Sequence, residues 1–284
     1  MPNIRRPKRG SKAYWPRARA KRSYARVRNW QQSLEPNRLG GFIGYKAGMT
    51  HALFRDNSPN SLNKNADLSL PLTIIECPPL KPLSLCFYKN TDAGLVKFAE
   101  VYSEHIPKEV KNHYTVKKAK TQVPTTFDDL RLKVSTQPQL LGFGKKKPDV
   151  LEFSVGGTDK LAYAQSLLHK DIRISDVFNE GTYLDVKGVS IGKGFQGTVK
   201  RYGVRIRQHK AEKVKRGTGN LGSWTPKKIL FSVPQAGQMG FQTRIEYNKT
   251  LLKISNNPEE VNPKSGFNGY GLVKNDYLLI HTIY

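Results

Sequence analysis

The chain has 284 residues, 37% of them hydrophobic, and carries 48 Lys and Arg against 22 Asp and Glu, a formal net charge of +26. That length admits one large domain or two modest ones. No run approaches the roughly 18 apolar residues of a membrane span, and two cysteines, Cys77 and Cys86, supply neither a disulfide framework nor a zinc spacing.

Charge is not spread evenly. Residues 1–34 hold 11 basic residues and no acid, residues 187–228 hold 12 basic residues and one acid, and the rest is near balance at 25 to 21. An ordinary body with two cationic extensions is the electrostatic footprint of a nucleic-acid binder, whereas a merely solvated surface would mix its signs.

The first extension is a basic tail, residues 1–37. Arg5, Arg6, Lys8, Arg9, Lys12, Arg17, Arg19, Lys21 and Arg22 are its candidate phosphate ligands, and Trp15 is a candidate stacking residue among Tyr14, Tyr24 and Trp30. The aromatics have a second reading, as anchors on the protein's own body, and for Trp30 the two readings stand level. Pro2, Pro7, Gly10 and Pro16 interrupt the amphipathic helix a transit peptide would need, and the tail lacks a signal peptide's apolar core.

Residues 38–104 read as the first part of a β-barrel. GGFIGYKAGMTHALF predicts strands joined by a tight turn, PLTIIECPPL a strand ending at Pro78-Pro79, and LSLCFYKN and LVKFAEVYS two more. Both cysteines fall in these apolar segments and read as buried thiols, in keeping with a reducing cytosol.

Residues 105–180 read as an α/β insertion. Strands are expected at 130–137 and 150–157 with a basic loop, GFGKKKP, between them. A helix is expected over 159–170, with Asp159 as N-cap and a basic last turn. Residues 181–191 return as a barrel strand, and 242–284 form the last part of the barrel.

Between them, residues 192–241 form a long basic arm. Its candidate RNA ligands are Lys193, Lys200, Arg201, Arg205, Arg207, His209, Lys210, Lys213, Lys215, Arg216, Trp224, Lys227, Lys228, Gln235 and Gln238. So few apolar groups cannot offset the entropy of ordering, and the charges repel, so order is expected to come from a bound polyanion. The fold expected overall is mainly β: a closed antiparallel barrel, which leaves no exposed edges, bearing the α/β insertion, the arm and the tail.

Two motifs in the arm invite enzymatic readings. GKGFQGTV (192–199) matches the kinase glycine loop, but no lysine strand, H-R-D or D-F-G accompanies it. GVSIG (188–192) matches a nucleophile elbow, but no helix is expected after it. The glycines read better as places where backbone must approach a phosphate closely. The six histidines are scattered, with no HxxxH or HExxH pair, so no metal site, catalytic residue, cofactor or small-molecule substrate is expected.

Several stretches resemble the universal ribosomal large-subunit protein three family in its archaeal and eukaryotic form. They are GFIGYKAGMTH (41–51), STQPQLLGFGKKKPDVLEFSVGG (135–157), DVKGVSIGKGFQGTVKRYGV (185–204), GNLGSWTP (219–226) and VPQAGQMGFQTRIEYNK (233–249). The resemblance covers nearly the whole chain. It implies a translation-protein-type barrel in a non-enzymatic, cytoplasmic constituent of the large subunit. Such a protein binds large-subunit rRNA and neighbouring ribosomal proteins and acts early in subunit assembly. It also implies that the arm reaches toward the peptidyl-transferase centre with Trp224 at its tip. An RNA-modifying enzyme with basic appendages and an architectural DNA binder are the rival classes.

Overall fold

A computed structural model describes residues 9–31, 37–57, 59–114, 123–157, 159–210, 213–225 and 227–281. The chain forms two compact units, one of Met1–Arg26 with Val186–Glu246 and one of Val27–Asp185 with Tyr247–Tyr284.

The chain is mainly β, with antiparallel pairing throughout the registers described. β1 (Tyr45–Arg55), β2 (Asp67–Glu76), β7 (Tyr183–Val189), β10 (Thr243–Ser255) and β11 (Tyr277–His281) form a five-stranded sheet in the order β1-β2-β11-β10-β7. Its edges are β1 and β7, so the ring closure expected from sequence is not among the pairings of the described residues.

The segment read as strands joined by a turn is one eleven-residue strand, β1, with a register shift between Lys46 and Gly48. Its glycines serve close approach instead of turning. A Cβ at Gly44 would lie 2.5 Å from Ile75 Cγ2, and one at Gly48 would lie 2.4 Å from the Phe267 ring. Ala47, Ile74, Tyr270, Val273 and Tyr277 form the core beside this sheet. The fully buried Glu76 carboxylate is satisfied, among the described residues, without a counter-cation. It accepts from the Tyr270 hydroxyl at 2.5 Å, from the Lys274 and Asn275 amides at 2.9 Å each, and from Asn275 Nδ2 at 2.6 Å.

β3 (Lys81–Thr91), β4 (Gly94–Tyr102), β5 (Asp129–Ser135) and β6 (Val150–Ser154) make a four-stranded sheet, order β4-β3-β5-β6. β3 thus hydrogen-bonds with β5 of the segment read as an insertion, and β4 joins the same sheet through β3. Pro82–Tyr88 are all buried, so β3 shows no alternation that would assign it to one sheet or another. One face carries the larger core: Leu85, Phe87, Leu130, Leu132, Val134 and Phe153, packed with Ala164 of α2 (Lys160–Leu167) and with Ile172. The other face is polar, where Ser84, Lys97 and Lys133 converge on Glu100 at 2.6, 2.8 and 2.9 Å.

α2 lies where a helix was expected, but Asp159 makes no side-chain cap bond. The helix stops at Leu167, before His169 and Lys170, so its last turn carries no basic residue. Two short helices, α1 (Lys108–His113) and α3 (Thr198–Tyr202), were not foreseen. Both cysteines are buried, as expected. Burial raises both thiols above their ordinary range, that of Cys86 to about 12.

Candidate nucleic-acid interface

The unit of Met1–Arg26 and Val186–Glu246 contains 23 Lys and Arg and two acids, Glu212 and Glu246. The base of its arm has order of its own, contrary to the expectation that order would come only from a polyanion. β8 (Phe195–Gln196) pairs with β9 (Gly237–Gln238). Amides of Lys193 and Met239 donate to Met239 O and Gly194 O, each at 2.9 Å, and Ser190 N donates to Gln242 O at 3.0 Å. Backbone hydrogen bonds between the arm's two limbs need no apolar side chains, and for that reason composition did not disclose them.

α3 follows the glycine run, where no helix was expected. It ends in Gly203, at φ 66° and ψ 31°, a left-handed C-cap whose glycine was the available sequence signal. Arg201 on this helix faces inward. Its guanidinium donates to Gln238 O at 2.9 Å, to Gln235 O at 2.8 Å and to Arg17 O at 3.3 Å, while Arg17 Nη1 donates to Arg201 O at 3.4 Å. A five-donor planar fork suits this cross-linking of carbonyls from three segments.

The tail's aromatics and cations pair with residues of the arm and of β10. Arg17 lies 4.4 Å from the Tyr202 ring centre, Arg19 5.2 Å from that of Phe241, and Arg244 4.7 Å from that of Tyr14. Trp15 meets Phe231 edge to face at 5.1 Å. In the other unit Trp30 packs edge to face on Phe153 at 5.8 Å, so of its two readings the structure has the anchor.

The candidate residues therefore divide. Trp15, Arg17 and Arg201 are half-buried and hold tail to arm, Gln238 is half-buried with its carbonyl bound by Arg201 within the arm, and Arg207 is half-buried. Its amide donates to Lys215 O at 3.1 Å. Arg9, Lys12, Arg19, Lys21, Arg22, Lys193, Lys200, Arg205, His209, Lys210, Lys213, Lys215, Arg216, Lys227, Lys228 and Gln235 are exposed. Arg5, Arg6 and Lys8 lie outside the described residues. Trp224 is 85% exposed, on a turn closed by the Lys227 amide donating to Trp224 O at 2.8 Å. Sequence reading missed Tyr202, Phe231, Phe241 and Arg244, whose roles depend on partners distant in the chain.

Among the described residues no group of three or more His, Cys, Asp or Glu could hold a metal, and no helix is long and apolar enough to cross a membrane.

A model of the family described as ribosomal protein L3 matches residues 1–283. Proteins named large ribosomal subunit protein uL3 are similar over nearly the full chain. That of Methanocaldococcus jannaschii is 41% identical over 292 residues, covering 98% of this chain and 87% of the relative. That of Archaeoglobus fulgidus is 43% identical over 287 residues, covering 97% and 86%. That of Methanopyrus kandleri is 41% identical over 296 residues, covering 98% and 81%. A match of this extent, through tail, arm and both sheets, leaves one conclusion: the chain belongs to the ribosomal protein L3 family.

Proposed function

We propose that the protein is a structural, non-enzymatic constituent of the large ribosomal subunit. Its exposed tail and arm cations bind large-subunit rRNA in the cytoplasm, and neighbouring ribosomal proteins cover other surfaces. The observation that carries this reading is the segregation of charge: 23 basic residues and two acids in one unit, against 25 and 20 in the other. Phosphate contacts from such a surface screen repulsion between RNA helices brought close together, which is what early subunit assembly requires.

The glycines fit the same reading. At Gly188 and Gly197 an added Cβ would meet nothing of the protein within 4 Å, so glycine there leaves room for something else. Trp224, exposed on its turn, is the arm's tip and shapes RNA near the peptidyl-transferase centre. The test is sedimentation of the native protein through a high-salt gradient. It should travel with large subunits, and recovery among free proteins or on duplex DNA would reject the reading. Trp224→Ala should enter subunits normally and impair tRNA-dependent steps, measured by peptide synthesis on the purified mutant subunits.

A further inference from the structure

Within the cationic unit a cavity of about 450 Å³ opens among Trp15, Arg17, Arg201, Tyr202, Leu230 and Phe231, a volume in the range of small-ligand pockets. Three successive large apolar side chains at its mouth stand in water: Ile229, Leu230 and Phe231 are 52%, 53% and 74% exposed. Contiguous exposed apolar surface marks an interaction site. Two donors of the cavity's residues, the Trp15 indole N–H and the Arg17 Nε–H, are buried with no hydrogen-bond partner. The protein's own atoms already cover both, so the choice of occupant falls to the apolar patch and the charge around it.

The surroundings choose the occupant. An apolar segment of another protein would cover the patch, but nothing in such a segment answers the Lys227 and Lys228 that directly precede it, or a unit with 23 basic residues and two acids. An unpaired nucleobase has a flat apolar face and brings its own phosphates. We propose that this cavity receives a single unstacked nucleobase of the bound RNA. Phe231 supplies the stacking face, its ring held edge-on by Trp15 at 5.1 Å. Arg17, stacked on Tyr202, lines the pocket, and Lys227 and Lys228 meet the flanking phosphates. Aromatic stacking of this kind tolerates any base. The inference rests on the RNA-binding reading above and adds a discrete base-binding site to it.

The experiment uses the full chain with Trp30→Phe and Trp224→Phe, leaving Trp15 as the sole tryptophan, and two probes: a short oligoadenylate and an oligomer of equal phosphate count whose bases are removed. Oligoadenylate should quench Trp15 fluorescence, and the abasic oligomer should bind without quenching. Phe231→Ala should lower oligoadenylate affinity about 5- to 100-fold and leave the abasic affinity and the salt dependence unchanged, with Phe231→Tyr restoring binding. Phe231→Tyr keeps the ring against Trp15 and should melt as the parent does, so its rescue separates a lost stacking face from a loosened tail.

Equal quenching by both oligomers, or an equal loss for both in Phe231→Ala, overturns the base site. Binding of oligoadenylate with no Trp15 response also overturns it. If neither oligomer binds at low salt, the RNA-binding reading itself fails, an outcome distinct from the others.

Discussion

Glu100 lies on the polar face of the four-stranded sheet and accepts from Ser84, Lys97 and Lys133. Burial alone would raise its carboxyl, but the bonds from Lys97, Ser84 and Lys133 outweigh it and bring the group from 4.5 to about 2. A depressed folded-state value stabilises the fold above the unfolded value, and that contribution fades as pH falls from about 4.5 toward 2. After discounting for solvent screening it is on the order of 1–2 kcal/mol. Glu100→Gln should lower the urea midpoint at pH 6 and narrow the gap between mutant and parent at pH 3; parallel pH profiles would exclude Glu100 as the source. Cys77 and Cys86 make a second case at this scale. Both are buried and their thiols raised, so a disulfide-forming thiol reagent at pH 8 should label neither in the native protein and both in denaturant. Rapid native labelling of either would contradict the packing described.

At the scale of elements, the base of the arm depends on a glycine. Gly240 has φ +69°, and a Cβ there would fall 2.0 Å from Ile191 O and 3.0 Å from Lys193 N, both backbone atoms that cannot swing away. Gly240→Ala should destabilise the pairing of β8 with β9 by on the order of 2 kcal/mol or more. Hydrogen exchange should report it as faster exchange at the Lys193 and Met239 amides, with the Leu132 amide of β5 unchanged. Gly197 is the contrasting position, because a Cβ there meets nothing within 4 Å. Gly197→Ala should leave exchange as it is and weaken RNA binding, if backbone approach is what that glycine permits; unchanged affinity would remove it from the interface.

For the whole molecule, the segregated charge makes a quantitative demand. Each neutralised phosphate contributes roughly 0.7–0.9 to the slope of log affinity against log salt, so rRNA binding should be steeply salt-dependent. Replacing Lys227 and Lys228 together by Ala should lower the slope by about 1.5. Arg201→Ala should act differently, loosening Gln235, Gln238 and Arg17 from one another. Much of this was legible in the sequence: the place and sign of the charge, the β character, the buried cysteines and the family follow from composition, local pattern and motif, which need no knowledge of distant contacts. The family motif GNLGSWTP also singled out Trp224, which is exposed. What only the tertiary structure decided was pairing. β3 is buried on both faces and carries no alternation, so its sheet could not be read from it. Arg17 and Arg201, 184 residues apart, look like phosphate ligands by residue type. Folding brings them together as donors to each other's carbonyls, because a guanidinium near unpaired carbonyls satisfies them as readily as it meets a phosphate, and chain topology alone determines which it finds.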